Sequence, residues 1–380
     1  MQIAQIKLGH FSQLASRIGE LSAIDPQWLL VFASKNFLVD TPLFSELQQS
    51  FPLAALLGCS TAGEISAGGV SENSCVITAV HWRFGVPHCA LTQLENMQDS
   101  EQAGQRLASQ LQMPMAGVLL FAQGVHINGS ALLAGLESGL PAGLPIMGGL
   151  AGDGTEFNQT VVLSRAGVSA NGAVAMAIPV GVSVGHGSYG GWKPFGLARR
   201  VTRHEGNILF ELDGEPALDV YKRYLGEYAE QLPSSGLLFP FEMLAQDYST
   251  VGVVRTILGV DEASGSLILA GDILSDGYLR LMHASNDALV EGAESAALAA
   301  QGPSGEVSGL GLLVSCVGRK LVMGGRIDEE IEAVAGVLGP NMSLAGFYSY
   351  GEISPLQGTL GCKLHNQTMT ISILSDSQNE

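Results

Sequence analysis

Short apolar runs alternate with amphipathic stretches along this chain, and the alternation repeats. Residues 29–34, LLVFAS, form an apolar run of strand length. The following TPLFSELQQSF predicts a helix, with Thr41 as cap, Pro42 at the first position and Leu43, Phe44 and Leu47 on one stripe. A second apolar run, LAALLG, ends at Gly58 and continues Cys-Ser-Thr-Ala-Gly63-Glu64.

The same order returns twice. VLLFAQG (118–124) leads to a predicted helix capped near Ser130, with Leu132, Leu133, Leu136 and Leu140 on its stripe, and then to LPIMGGLAGD. LLVSCVG (312–318) leads to a stripe of Ile327, Ile331, Val334 and Leu338, and then to LAGFYSYGE. From the start of the first run to Gly58, Gly148 and Gly346 the spacing is 29, 30 and 34 residues. Each copy closes on glycine plus an acid: Gly63-Glu64, Gly152-Asp153 and Gly351-Glu352.

Strand–helix–strand of this length predicts a parallel βαβ unit with its helix packed over the sheet. Ligands of such units collect at the carboxyl ends of the strands. Further alternating strands follow each unit, in SCVITAVHW, QTVVLSRAG, GAVAMAIPVGVSV and TLGCKLHNQTMTISIL, so mixed sheets with antiparallel additions are expected. The fold class expected is therefore α/β with an α+β tendency: repeated βαβ units in two modules, 1–212 and 213–380. At that boundary Asp213-Gly214 with Pro216 predicts a helix start, and Leu218, Tyr221, Leu225 and Tyr228 its stripe. GVVRTILGV and SLILAG predict a hairpin around DEASG.

Composition narrows the function. Glycine supplies 49 of 380 residues and charged residues only 14%, which suits tight turns and closely approaching layers. The formal charge of −18 repels polyanions, so neither nucleic acid nor an anionic membrane is expected as partner. Five cysteines, an odd count without CxxC spacing, fit a reducing compartment, and no signal-peptide core opens the chain, so a cytoplasmic location is expected. The eight histidines show no HxH, HExxH or Cys/His zinc spacing. A lone axial histidine to haem needs no such spacing.

The segments GCSTAGEI, GGLAGD, HGSYGGWKPFG…VTRHEGNILFELDGEPALDVY and SCVGR…GFYSYGEISP…LHNQTMTI together resemble the FIST sensory-domain family over nearly the whole chain. The resemblance implies an N-terminal FIST module followed by its C-terminal partner, acting as a ligand-sensing protein in signal transduction. Some stand-alone members are haem-binding nitric-oxide sensors that act on histidine kinases, and such a sensor is the leading expectation. The alternative is a haem-free sensor of a small metabolite such as an amino acid. A rival of another class is an enzyme using Cys59 or Cys316, but no adjacent base is evident, and no enzyme activity is expected.

The candidate ligand contacts at the rims are Cys59, Ser60, Thr61, Glu64, Gly149, Asp153, Cys316, Arg319, Tyr348 and Glu352. The candidate haem ligand is His186, whose flanking Gly185 and Gly187 are expected to leave room for a porphyrin face, with Trp192 and Phe195 at its edge.

Overall fold

The computed structural model describes residues 1–302, 308–356 and 361–376. Among these residues the strands form four sheets, and three of the sheets repeat one plan. In the first, Trp28–Ala33 pairs parallel with Ala55–Ser60 and antiparallel with Cys75–His81. In the second, Met115–Ala122 pairs parallel with Ile146–Leu150 and antiparallel with Gly172–Pro179. In the third, Gly309–Cys316 pairs parallel with Met342–Ser349 and antiparallel with Met369–Asp376. These are the mixed βαβ sheets that the apolar runs predict.

The register makes the repeat exact at one point. Val31, Leu120 and Leu313 face Gly58, Gly148 and Gly346 respectively. A Cβ at any of these glycines would lie 2.0 Å from the carbonyl oxygen of its partner. The repeated glycine therefore answers a close strand approach that any side chain would block.

Each unit also lends strands to a neighbour. The pair Glu64–Ser66 and Gly69–Ser71, which follows the first unit, extends the third sheet. Val162–Ser164 and Gly167–Ser169 extend the first, while Gly351–Pro355 and Cys362–His365 extend the second. The exchange is cyclic. At its centre Phe32, Phe121 and Phe347, one from each unit, meet with ring centroids 4.6–5.7 Å apart. Helices cover the outer faces and bury their stripes there, including Leu132, Leu133 and Leu136, and Ile331, Val334 and Leu338.

The remaining sheet comes from residues 193–283, inserted between Val182–Tyr189 and the helix Asn286–Gln301. Strands from both sides of position 212 share this sheet as well as the second and third.

Local details differ from expectation for identifiable reasons. The segment after residue 34 forms two helices, Lys35–Val39 and Leu43–Ser50; Thr41 Oγ1 accepts from Leu43 N and donates to Phe37 O at their junction. Asn128, not Ser130, caps the helix Gly129–Ser138 by accepting from Ala131 N at 3.0 Å. Asp213-Gly214 is a two-residue hairpin turn with both φ angles positive, 52° and 82°, and the helix Ala217–Leu225 begins after it. Asp-Gly is a strong hairpin signal, and here it outweighs the helix start. The hairpin around DEASG forms as expected, between Ile257–Asp261 and Ser266–Leu269.

Candidate functional site

The first rim opens into a polar pocket of about 270 Å³. Ser34, Lys35 and Asn36 enter it directly after the first strand, and Thr61, Ala62, Gly63 and Glu64 after the second. The turn after the exchanged strand Gly69–Ser71 contributes Glu72 and Asn73, the second unit Asp153 to Glu156, and the third unit Lys320. All three units thus meet in this pocket.

Glu64 forms its buried floor. Oε1 accepts from Thr61 Oγ1 at 2.5 Å, and Oε2 accepts from Ser74 N at 3.1 Å and Ser74 Oγ at 2.6 Å. Burial pushes the Glu64 carboxyl up, against these hydrogen bonds and the Lys320 ammonium, which favour the anion. Asp153 is clamped by Asn158 N at 3.0 Å, Gln159 N at 2.8 Å and the Tyr350 hydroxyl.

The two ammonium groups have exchangeable partners. Lys35 Nζ lies 3.1 Å from Glu156 and 3.8 Å from Asp153; Lys320 Nζ donates to Ala62 O at 2.6 Å and pairs with Glu72 at 2.5 Å. Glu156 and Glu72 are 65% and 64% exposed, so either contact can be given up at little cost.

Of the expected contacts, this pocket brings together Thr61, Glu64 and Asp153. Ser60 lies beneath it, its Oγ accepting from Val161 N at 2.9 Å. Cys59 is fully buried among Trp28, Phe32 and Phe121, on the core side of its strand. Gly149 pairs with Glu352, and a Cβ there would lie 2.8 Å from Gly351 O.

The other four lie in the third unit, in buried networks. Arg319 pairs with Glu330 at 2.7 Å and donates to Leu289 O at 2.8 Å and to Gly190 O. Ser315 Oγ and the Tyr348 hydroxyl donate to the other Glu330 oxygen. Glu352 accepts from Ser349 Oγ at 2.7 Å, Thr368 N at 3.1 Å and Thr368 Oγ1 at 3.0 Å, and burial raises its carboxyl to about 7. Burial also pushes the Cys59 and Cys316 thiols well up, away from the thiolate that a nucleophile requires.

His186 sits on the edge strand Val182–Tyr189, opposite Ser372. Its Nδ1 is buried without a partner, and burial lowers its pKa. The space expected beside it is filled, however. A Cβ at Gly185 or Gly187 would lie 2.3 Å from Ala300 O or 2.1 Å from Ala296 O, because the helix Asn286–Gln301 packs on both glycines. Trp192 is held by Nε1 donating to Gln367 O at 2.7 Å, and Phe195 packs with Phe239 and His283. The room expected at the two flanking glycines is therefore taken by the helix Asn286–Gln301. Among the described residues no group of three or more His, Cys, Asp or Glu is placed to hold a metal ion. None of their helices is long and apolar enough to cross a membrane.

Comparison with known families supplies the context. Residues 27–215 match the FIST N domain and residues 217–355 the FIST C domain. The chain belongs to the FIST family. FIST domains are proposed sensory domains in signalling. An uncharacterized protein of Mycobacterium tuberculosis is 27% identical over 349 residues, covering 88% of this chain and 87% of its own. An uncharacterized protein of Methanocaldococcus jannaschii is 26% identical over 208 residues, covering 50% of this chain and 38% of its own. Among solved structures, cyanuric acid hydrolase from A. caulinodans aligns over 98% of this chain and 99% of its own, at 10% identity and a TM-score of 0.31. That score carries no conclusion about chemistry.

In this FIST chain, reading the second strand of each unit finds Thr61, Glu64 and Asp153 but misses both lysines. Lys35 had a signal: it immediately follows an apolar strand in a chain with just 18 basic residues. Lys320 had none, since it reaches the first rim from the third unit.

Proposed function

We propose that this protein is a haem-free ligand sensor in a signalling system, and that it takes a small zwitterionic metabolite of the amino-acid class in the first rim. The observation that carries this reading is the convergence of two ammonium groups, Lys35 and Lys320, and two inner acids, Glu64 and Asp153, on one pocket. A ligand carboxylate would replace the exposed Glu156 and Glu72 on the two ammonium groups. A ligand ammonium would take the inner acids, Glu64 and Asp153. The volume, about 270 Å³, lies just under the usual range for drug-sized ligands, beginning near ~300 Å³, and suits a metabolite.

A ligand held by groups from three units binds best in one relative placement of those units, and such differential affinity is what a sensor requires. The output passes to a separate partner, for which a histidine kinase is the proposed class. The raised thiols of Cys59 and Cys316 favour a binding protein over a thiol enzyme.

The test is calorimetric titration with the common amino acids, followed by Lys35→Ala and Lys320→Ala. The expected result is saturable binding by one chemical subset, weakened about tenfold or more in each variant, as for loss of a charged hydrogen bond. Binding that survives both substitutions would overturn the site. A Soret band in haem-supplemented protein, lost in His186→Ala, would restore the haem-based nitric-oxide reading in its place.

A further inference from the structure

The second rim differs in chemistry from the first although it has the same origin. Gly124-Val125 follow the first strand of the second unit as Lys35-Asn36 follow that of the first. Six residues beyond the repeated glycine, where the first unit has Glu64, the second has Gly154. Gly172 stands where the first unit has Ser74, each preceding the residue paired with the end of the first strand. The buried acid and its hydroxyl donor are both missing, so nothing here selects a cation.

What remains is a cavity of about 160 Å³ between the second unit and the hairpin formed by Ile257–Asp261 and Ser266–Leu269. Val125, Ile127, Leu150, Leu258 and Leu269 supply apolar walls. A further wall is a stacked pair, Phe157 on Tyr350, with ring centroids 4.2 Å apart and planes inclined by 15°. Phe157 holds a φ of +49°, a conformation that bulky side chains rarely adopt and that persists where the surroundings enforce it. Polar groups nearby are already engaged: Asn128 Nδ2 donates to Asp272 at 3.0 Å, Asn207 Nδ2 to Leu269 O at 2.8 Å, and the Tyr350 hydroxyl to Asp153.

We propose that this cavity is a second binding site, separate from the polar pocket, for a benzene-sized aromatic group. The volume is close to that of cavities of ~150 Å³ that admit benzene. The Phe157–Tyr350 pair offers the ring edges and faces that aromatic guests contact in offset or edge-on geometry. The same pair joins the two sites, because the Tyr350 hydroxyl also holds Asp153 in the polar pocket and accepts from Phe157 N at 3.3 Å.

Fluorine NMR titration of the full chain with fluorobenzene tests the proposal. The wild type should show saturable binding. Val125→Trp and Leu258→Trp, which fill the cavity, should each weaken it about tenfold or more. Circular dichroism and the melting midpoint identify which variants remain folded. Lys320→Ala, whose partners Ala62 and Glu72 are not shared with the Phe157–Tyr350 pair, should leave fluorobenzene affinity within about twofold, so failure here is distinguishable from failure of the polar-pocket reading. Absence of saturable binding to the wild type would overturn the proposal whatever the variants do. Unchanged binding in a folded, cavity-filled variant would overturn it equally.

Discussion

Glu64 and Glu352 stand six residues after equivalent glycines, in the first and third units, and are held in the same way. Thr61 and Ser349 each donate to one carboxylate oxygen; Ser74 and Thr368 each give the other oxygen a backbone N–H and a hydroxyl. Even the turn before the second donor is shared, since Asn73 and Gln367 both carry positive φ, 52° and 64°. Yet Glu64 lines a pocket and Glu352 is sealed. In the third unit Gln367 packs on Gly318, where a Cβ would lie 2.4 Å from its Nε2, and donates to Leu237 O at 2.9 Å. The inserted residues 193–283, which contain Leu237, roof the third rim and leave the first open. The carboxylate clamp is therefore a local device, and the insert decides whether it borders a pocket or is roofed over.

The comparison breaks most readily at the neighbouring pair Arg319 and Lys320. Arg319→Met should cost about 3–5 kcal/mol in urea unfolding, because Glu330 is left charged and buried without its partner. Lys320→Met should cost less than about 1 kcal/mol while abolishing most ligand affinity, since its partner Glu72 is largely exposed. Equal losses of stability would refute the division into a structural third rim and a binding first rim.

Next is the sealed acid. Glu352 holds its proton to about pH 7 in the folded chain and releases it near 4.5 when unfolded. Between these values the folded state binds more protons, so this contribution to stability falls as pH rises. Its full size is roughly 3 kcal/mol. Glu352→Gln should flatten stability measured across that window. A wild-type curve that instead rises through it, unaltered by the substitution, would show the acid to be ionised in the fold.

Gly58→Ala and Gly346→Ala place a methyl against a strand carbonyl in two equivalent settings. Each should lower stability by about 1–3 kcal/mol in denaturant titration, and to similar extents. If one is tolerated, the two units are not built alike at that point. Smaller still, Thr61→Val and Ser349→Ala each remove one hydrogen bond to a carboxylate, worth about 1–2 kcal/mol. Only Thr61→Val should also reduce affinity for the ligand. Last, Cys59 and Cys316 should escape mild alkylation at neutral pH in the folded chain, a result that mass mapping reads directly. Rapid labelling of either would mean that its strand end is open.

Much of the scaffold is legible in the chain. The alternation of apolar runs and stripes reveals three βαβ units, because backbone pairing and helix packing impose their own periods on nearby residues. Gly58, Gly148 and Gly346 stand out for the same reason: each meets a strand with which it is joined through one helical connection. The Thr61–Glu64 and Ser349–Glu352 contacts span three residues, so the motif contains them. Asp213-Gly214 was legible too, but as a hairpin turn rather than a helix start.

Chain order says nothing of which neighbour receives each exchanged strand pair, because pairing 281 residues apart, as Ile65 with Gly346, depends on how whole units pack. Hence Lys320 reaches Ala62, Gly185 lies under a helix and Gln367 lies under the insert only once the sheets are assembled. The amino-acid sequence alone determined the repeated units and the carboxylate clamps of the first and third, since those rest on contacts within a unit. The tertiary structure decided which rim opens, which lysines face it and which rim turns apolar, since these depend on contacts between units and with the insert.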